Sequence, residues 1–105
     1  MTPQANRAQF IGRLSDDATI EQLPSGERVA RFSIPALLDN RILYLPCVAI
    51  HASLVDVLEK HGRKDRSVFL EGKLQTRSGL ENGQSADHHA TQLILDLGCR
   101  LSFLN

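Results

Sequence analysis

No tryptophan occurs among these 105 residues, and the aromatic side chains number five: Tyr44, Phe10, Phe32, Phe69 and Phe103. A broad aromatic surface is excluded. Cysteine is equally scarce. Cys47 and Cys99 make no disulfide framework, and both sit in apolar stretches, as reduced core thiols of a cytosolic protein do. No apolar run approaches the roughly 20 residues of a membrane span. Met1 to Asn6 has neither a basic start nor an apolar segment, so a secretory signal is not expected and the expected location is cytoplasmic. Net charge is lacking as well. Twelve basic residues balance twelve acidic ones, so any attraction for polyanions must come from local clustering.

Catalytic apparatus is missing too. There is no phosphate-cradling glycine loop and no nucleophile elbow. His88 and His89 are adjacent, but a metal site would have to join them to Asp87 or something distant, and no tetrahedral set is visible. Neither an enzyme nor a bound metal or cofactor is expected.

What remains is β patterning. The length suits one domain spanning 1–105 with a modest core, and a small barrel fits because closure removes sheet edges. Gln9 to Leu14 reads as a first strand, with Gly12 marking a bend. Asp16 to Gln22 is either a short strand or coil. Pro24-Ser25-Gly26 is a turn, after which Ala30, Phe32 and Ile34 alternate with Arg31 and Ser33. Pro35 to Asn40 reads as a connection. Ile42 to Ile50 is the third strand, with Tyr44, Pro46, Val48 and Ile50 on one side and Leu43, Leu45, Cys47 and Ala49 on the other.

A helix is predicted over Ser53 to His61, with Ser53 as N-cap, Asp56 in the first turn, a buried stripe of Leu54, Val55, Val57 and Leu58, and Gly62 as the stop. Ser67 to Arg77 is the fourth strand, Ser78 to His89 a loop, and Thr91 to Leu97 the last strand, which Gly98 to Leu104 would extend. Phe10, Phe32 and Phe69 are placed in the core.

The opening Asn6-Arg-Ala-Gln-Phe-Ile-Gly-Arg-Leu-Ser15, the hairpin from Leu23-Pro-Ser-Gly26 to Val29-Ala-Arg-Phe-Ser-Ile34, and the block Val68-Phe-Leu-Glu-Gly-Lys-Leu-Gln-Thr-Arg77 follow one another in order. Together they resemble the bacterial single-stranded-DNA-binding proteins, and more distantly primosomal replication protein N. The resemblance runs from about Asn6 to Leu97. It implies an all-β fold, a five-stranded OB-fold barrel with one short helix between the third and fourth strands. It implies single-stranded DNA as partner, in replication, recombination or repair, with replication proteins as further partners.

Departures from the family matter as much. Tyr44 falls on a family tryptophan, but Ile50 stands where a phenylalanine is usual, Ser78-Gly79 where a tryptophan is usual, and the Pro35–Asn40 stretch bears no aromatic. Losing three stacks, each worth about 1–3 kcal/mol per base, implies weak, sequence-independent binding led by cations. The residues assigned to it are Arg13, Arg31, Lys73 and Arg77, with Tyr44 as the stacker; the same cations would also serve simply to solvate the barrel. The resemblance further implies a homo-oligomer, dimer or tetramer, paired through Asn6, Arg7, Ala8, Gln9 and Phe10. The C-terminal Leu101-Ser-Phe-Leu-Asn105 lacks the family's acidic, partner-recruiting tip. The alternative is a primosome-like protein-interaction module with little DNA affinity.

Overall fold

The structure is a computed structural model that describes residues 7–38, 40–78 and 89–104. Among these residues, seven strands and one helix follow in the order β1 (Ala8–Arg13), β2 (Thr19–Gln22), β3 (Arg28–Leu38), β4 (Arg41–Ala49), α1 (Ala52–His61), β5 (Ser67–Ser78), β6 (His89–Leu95) and β7 (Arg100–Phe103). Strands β1, β3, β4, β5 and β6 are the five the alternation predicts, and α1 sits between the third and fourth of them. Asp16 to Gln22 resolves into the short β2.

The last segment corrects the sequence reading. Gly98, at a φ of 91°, takes the left-handed turn that β-carbon-bearing residues resist, so the chain reverses rather than extending β6. Strand β7 returns to pair with the first half of β5, Val68 opposite Phe103 and Glu71 opposite Arg100.

Strand order β1-β5-β6-β4-β3-β2 wraps one core, with β7 beside β5. Its innermost side chains are Leu14, Ile34, Val55, Leu58, Val68, Leu70, Leu93 and Leu95. Burying each stabilises the fold by roughly 1.5–3 kcal/mol. Strand β5 carries two ladders. Its first half pairs with β1 and β7, and from Lys73 onward it pairs with β6. Gly72, fully buried, is the corner between them.

Pro35 to Leu38 is not a loop but the end of β3, paired through Leu38 to Arg41. Two prolines lie in this hairpin and neither breaks it. The Ser33 carbonyl oxygen accepts from the Ser15 N–H at 2.9 Å, so backbone groups at Ser33 point away from β4. Pairs Ser33–Pro46 and Pro35–Tyr44 share that register, so no N–H is missed within the hairpin. The β4–β6 ladder begins only at Cys47, immediately after Pro46.

Helix α1 begins one residue before Ser53. The N-cap is His51, whose Nδ1 accepts the Ser53 N–H at 3.4 Å, and the Ser53 hydroxyl lies 2.8 Å from the same nitrogen. Asp56 consequently falls outside the first turn. Val55 and Leu58 are buried, Leu54 and Val57 half-buried, and the Gly62 N–H closes the helix on the Leu58 carbonyl at 2.8 Å. Phe32 is buried and Phe10 packs against the core as expected. Phe69 does not, because in β5 it is Val68 and Leu70 that enter the core. Phe69 faces outward between Ile11 of β1 and Ser102 of β7.

Candidate nucleic-acid interface

Alternation along β3 puts Ala30, Phe32 and Ile34 inside and Arg31 outside. Register then builds a line of residues across the outer wall. Thr19 of β2 lies opposite Arg31 of β3, Arg31 opposite Val48 of β4, Val48 opposite Ile94 of β6, and Ile94 opposite Lys73 of β5. Arg31 and Lys73 therefore share one row, three strand spacings or about 14 Å apart.

An apolar stripe leaves this row at right angles along β4. From buried Val48 it runs through Pro46 and Tyr44 to Ile42 at the hairpin tip, all on the outer face. Tyr44 is 65% exposed and Ile42 66%. Pro35, directly across from Tyr44, widens the stripe. Arg41, exposed, stands at the tip beside it. Pro35, Pro46, Ile42 and Arg41 are not among the site residues the sequence predicts. The alternation signal was available, but reading 35–40 as a connection hid the length of the hairpin that displays them.

The row's two cations are both ion-paired. Arg31 Nε lies 3.3 Å from Glu21 Oε1, and Lys73 Nζ lies 3.6 Å from Asp96 Oδ2. Neighbouring Gln92 donates from Nε2 to Gln75 Oε1 at 3.0 Å, tying β6 to β5 beside the row. Arg77 continues β5 four residues beyond Lys73, its backbone opposite Ala90. Its side chain is outside the described residues.

Arg13 belongs elsewhere. It is exposed at the end of β1, opposite Ser67, on the wall formed by β1, β5 and β7. Arg28 turns the other way, to the helix. It reaches Glu59 Oε2 at 2.7 Å and Asp56 Oδ1 at 3.6 Å, and the hydrogen bond to Glu59 raises its pKa above the usual guanidinium value. Ile50, exposed, lies beyond β4, with its N–H bonded to the Leu95 carbonyl at 2.9 Å.

Among the residues assigned to self-association, Asn6 lies outside the described residues. Ala8 and Phe10 pack inward. Arg7 and Gln9 converge on Glu71, whose side chain is 12% exposed: Gln9 Nε2 donates at 2.7 Å, and the guanidinium of Arg7 lies at 3.4 Å. Arg100 approaches the same carboxylate at 3.8 Å from β7. Among the described residues β1 has one strand partner, β5, so what it offers outward is its other edge and Ile11, 71% exposed.

No group of three or more potential metal ligands exists among the described residues. Among those residues, no helix is long and apolar enough to cross a membrane. His88 and Asp87 lie outside the described residues. His89 is described only as a β6 backbone position opposite Ser78.

The model of the single-strand binding protein family matches residues 5–104. Single-stranded DNA-binding protein 1 of Chlorobaculum tepidum is 29% identical over 98 residues, an overlap covering 85% of this chain and 60% of that relative. A solved Plasmodium falciparum SSB complex with ssDNA aligns with a TM-score of 0.83 at 29% identity over 100% of both chains. The chain thus spans 60% of the length of the curated relative it matches.

Proposed function

Since the chain belongs to the single-strand binding protein family, we propose that it binds single-stranded DNA on the outer wall of β3, β4, β6 and β5, without catalysis. One observation carries this reading: the Arg31–Val48–Ile94–Lys73 row meets the exposed Ile42–Tyr44–Pro46 stripe on a single face. Arg31 and Lys73 contact phosphates. Tyr44 supplies the stack, and Arg77 extends the cationic track along β5. Arg13 contributes where the strand reaches the β1 end of the barrel.

With a single aromatic on this face among the described residues, base contact rests on Tyr44 and on apolar packing by Ile42, Pro35 and Pro46. Each lost stack removes about 1–3 kcal/mol, so affinity per subunit is low and sequence preference slight. The domain acts as a single OB unit that self-associates through the free edge of β1, and several weak sites on one assembly gain by avidity. The similarity to a single-stranded DNA-binding protein and to an SSB solved in complex with ssDNA supports DNA over RNA as the strand bound. Replication and repair in the cytoplasm are the setting in which such a protein works.

Fluorescence anisotropy of labelled poly-dT at low and high salt, on protein of measured oligomeric state, tests this. Binding at low salt that falls steeply with salt is the expected result. Absence of binding at low salt would turn the reading toward a protein-contact module.

A further inference from the structure

Resting on that reading of the outer wall, we propose that Glu21 and Asp96 are built-in competitors of the DNA backbone, each holding one cation of the row until a phosphate displaces it. Both pairs are diagonal across strands. Arg31 lies directly opposite Thr19, and its guanidinium reaches two residues along β2 to Glu21. Lys73 lies directly opposite Ile94, and its ammonium reaches two residues on to Asp96.

The two carboxylates differ in how they hold. Glu21 is on β2, beyond Arg31 as seen from β4, so its pull draws the guanidinium away from the apolar stripe. Asp96 is fixed at the β6–β7 turn. Its carbonyl accepts the Cys99 N–H at 3.0 Å, and its Oδ1 accepts from Cys99 Sγ at 3.5 Å. It cannot swing aside freely when a phosphate arrives.

All four charged groups keep solvent access, with side-chain exposures of 54% and 49% for Arg31 and Glu21 and 53% and 32% for Lys73 and Asp96. Exposed pairs of this kind bias an equilibrium by up to about fivefold, weak enough for a phosphate to win and strong enough to tax binding. The displaced carboxylate then stands beside the strand and repels it. Neutralising either one removes both effects. The gain is largest at low salt and fades as the screening length contracts to about 10 Å near 0.1 M. Balanced net charge is repeated at the level of the site, and the consequence is a strand held loosely and released readily.

The test is an anisotropy titration of labelled poly-dT at low and high salt, using the whole chain and the variants Glu21→Gln, Asp96→Asn and both together. Asp65→Asn, in the turn between α1 and β5, makes the same change of net charge away from the row. Each row variant should tighten binding by about three- to tenfold at low salt, with much less gain at high salt. In an Arg31→Gln background, Glu21→Gln should lose the part of its gain that comes from releasing the cation and keep only the part that comes from ending the repulsion of the strand. Unchanged affinity, or an equal gain from Asp65→Asn, overturns the inference while leaving DNA binding intact. Binding by the double variant alone would support it in its strongest form. No binding by any of the proteins overturns the inference and the proposed function together. Thermal melts identify a variant that fails to fold, and Glu21→Gln, at an exposed strand position, carries the test if Asp96→Asn does.

Discussion

Gly72 lies so close to Ile94 that a β-carbon added to it would stand 2.7 Å from the Ile94 carbonyl oxygen and 2.9 Å from Leu95 Cδ2. The first of these neighbours is backbone and cannot rotate away. At this point β5 leaves β1 and β7 and joins β6, and the two chains approach to a distance that admits hydrogen alone. Gly72→Ala should therefore destabilise the domain by about 1–3 kcal/mol, read as a lower denaturant midpoint. Gly12→Ala is the comparator. Its β-carbon would meet Ile34 Cβ at an ordinary 3.5 Å, and the midpoint should move far less. Equal shifts from the two substitutions would refute the corner assignment.

Tyr44 separates binding from folding. Its ring is 65% exposed, so removing it leaves the core untouched. Tyr44→Ala should preserve the melting temperature and weaken poly-dT binding by about 1–3 kcal/mol, roughly five- to 150-fold. Tyr44→Trp should tighten it. If Tyr44→Ala binds as well as the parent chain, the stripe along β4 is not where bases lie.

The cap of α1 is improvable. His51 accepts the Ser53 N–H at a long 3.4 Å, and imidazole is not among the favoured caps. His51→Asp places a carboxylate at the positive end of the helix and should raise stability by about 0.5–1 kcal/mol in urea unfolding. His51→Ala should lower it by a similar amount. A stabilising His51→Ala would show that the imidazole does not cap.

Burial pushes the Cys47 thiol up to about 12 from its ordinary 9.0. The sign follows directly. Above pH 9 the unfolded chain loses this proton while the folded one keeps it, so stability is full below 9 and declines as pH climbs toward 12. The slope from this group is at most about 1.4 kcal/mol per pH unit. Urea midpoints at pH 8, 10 and 11, compared with those of Cys47→Ala, isolate it, since the variant should lose that part of the decline. Alkylation of Cys47 at pH 8 should likewise be far slower than that of an unfolded thiol, because only the opened chain reacts.

Parts of the fold were legible because they depend on local rules. Period-two alternation identified five strands, and the apolar stripe of Leu54, Val55, Val57 and Leu58 identified α1, since both periods follow from backbone geometry alone. Residue preference puts the cap at Ser53, two residues past the true one, because capping by His51 is a matter of where one imidazole nitrogen sits. Phe69 faces outward, against the core placement its hydrophobicity suggests, because Val68 and Leu70 set the phase of the strand.

Pro35 shows the limit most clearly. As a residue it signals the end of a strand, and it lies inside one because its register turns the missing N–H away from its partner. Which hydrogen bonds a proline forfeits is decided by pairing, which no local pattern contains.

The site divides the same way. That Arg31, Tyr44 and Lys73 each face outward could be counted along their own strands. That Arg31 and Lys73 share a row, that Arg13 lies on another wall, and that Glu21 and Asp96 stand against the two cations could not be counted. These facts are set by the order β2-β3-β4-β6-β5 and its register, which bring residues 31 and 73, 42 positions apart in sequence, to one face. The chain's own alternation determined which side chains face water and which enter the core, because a strand has two faces whatever its neighbours are. Tertiary pairing alone decided which outward charges meet, because electrostatic partnership depends on distance in space and a strand carries no record of what will lie beside it.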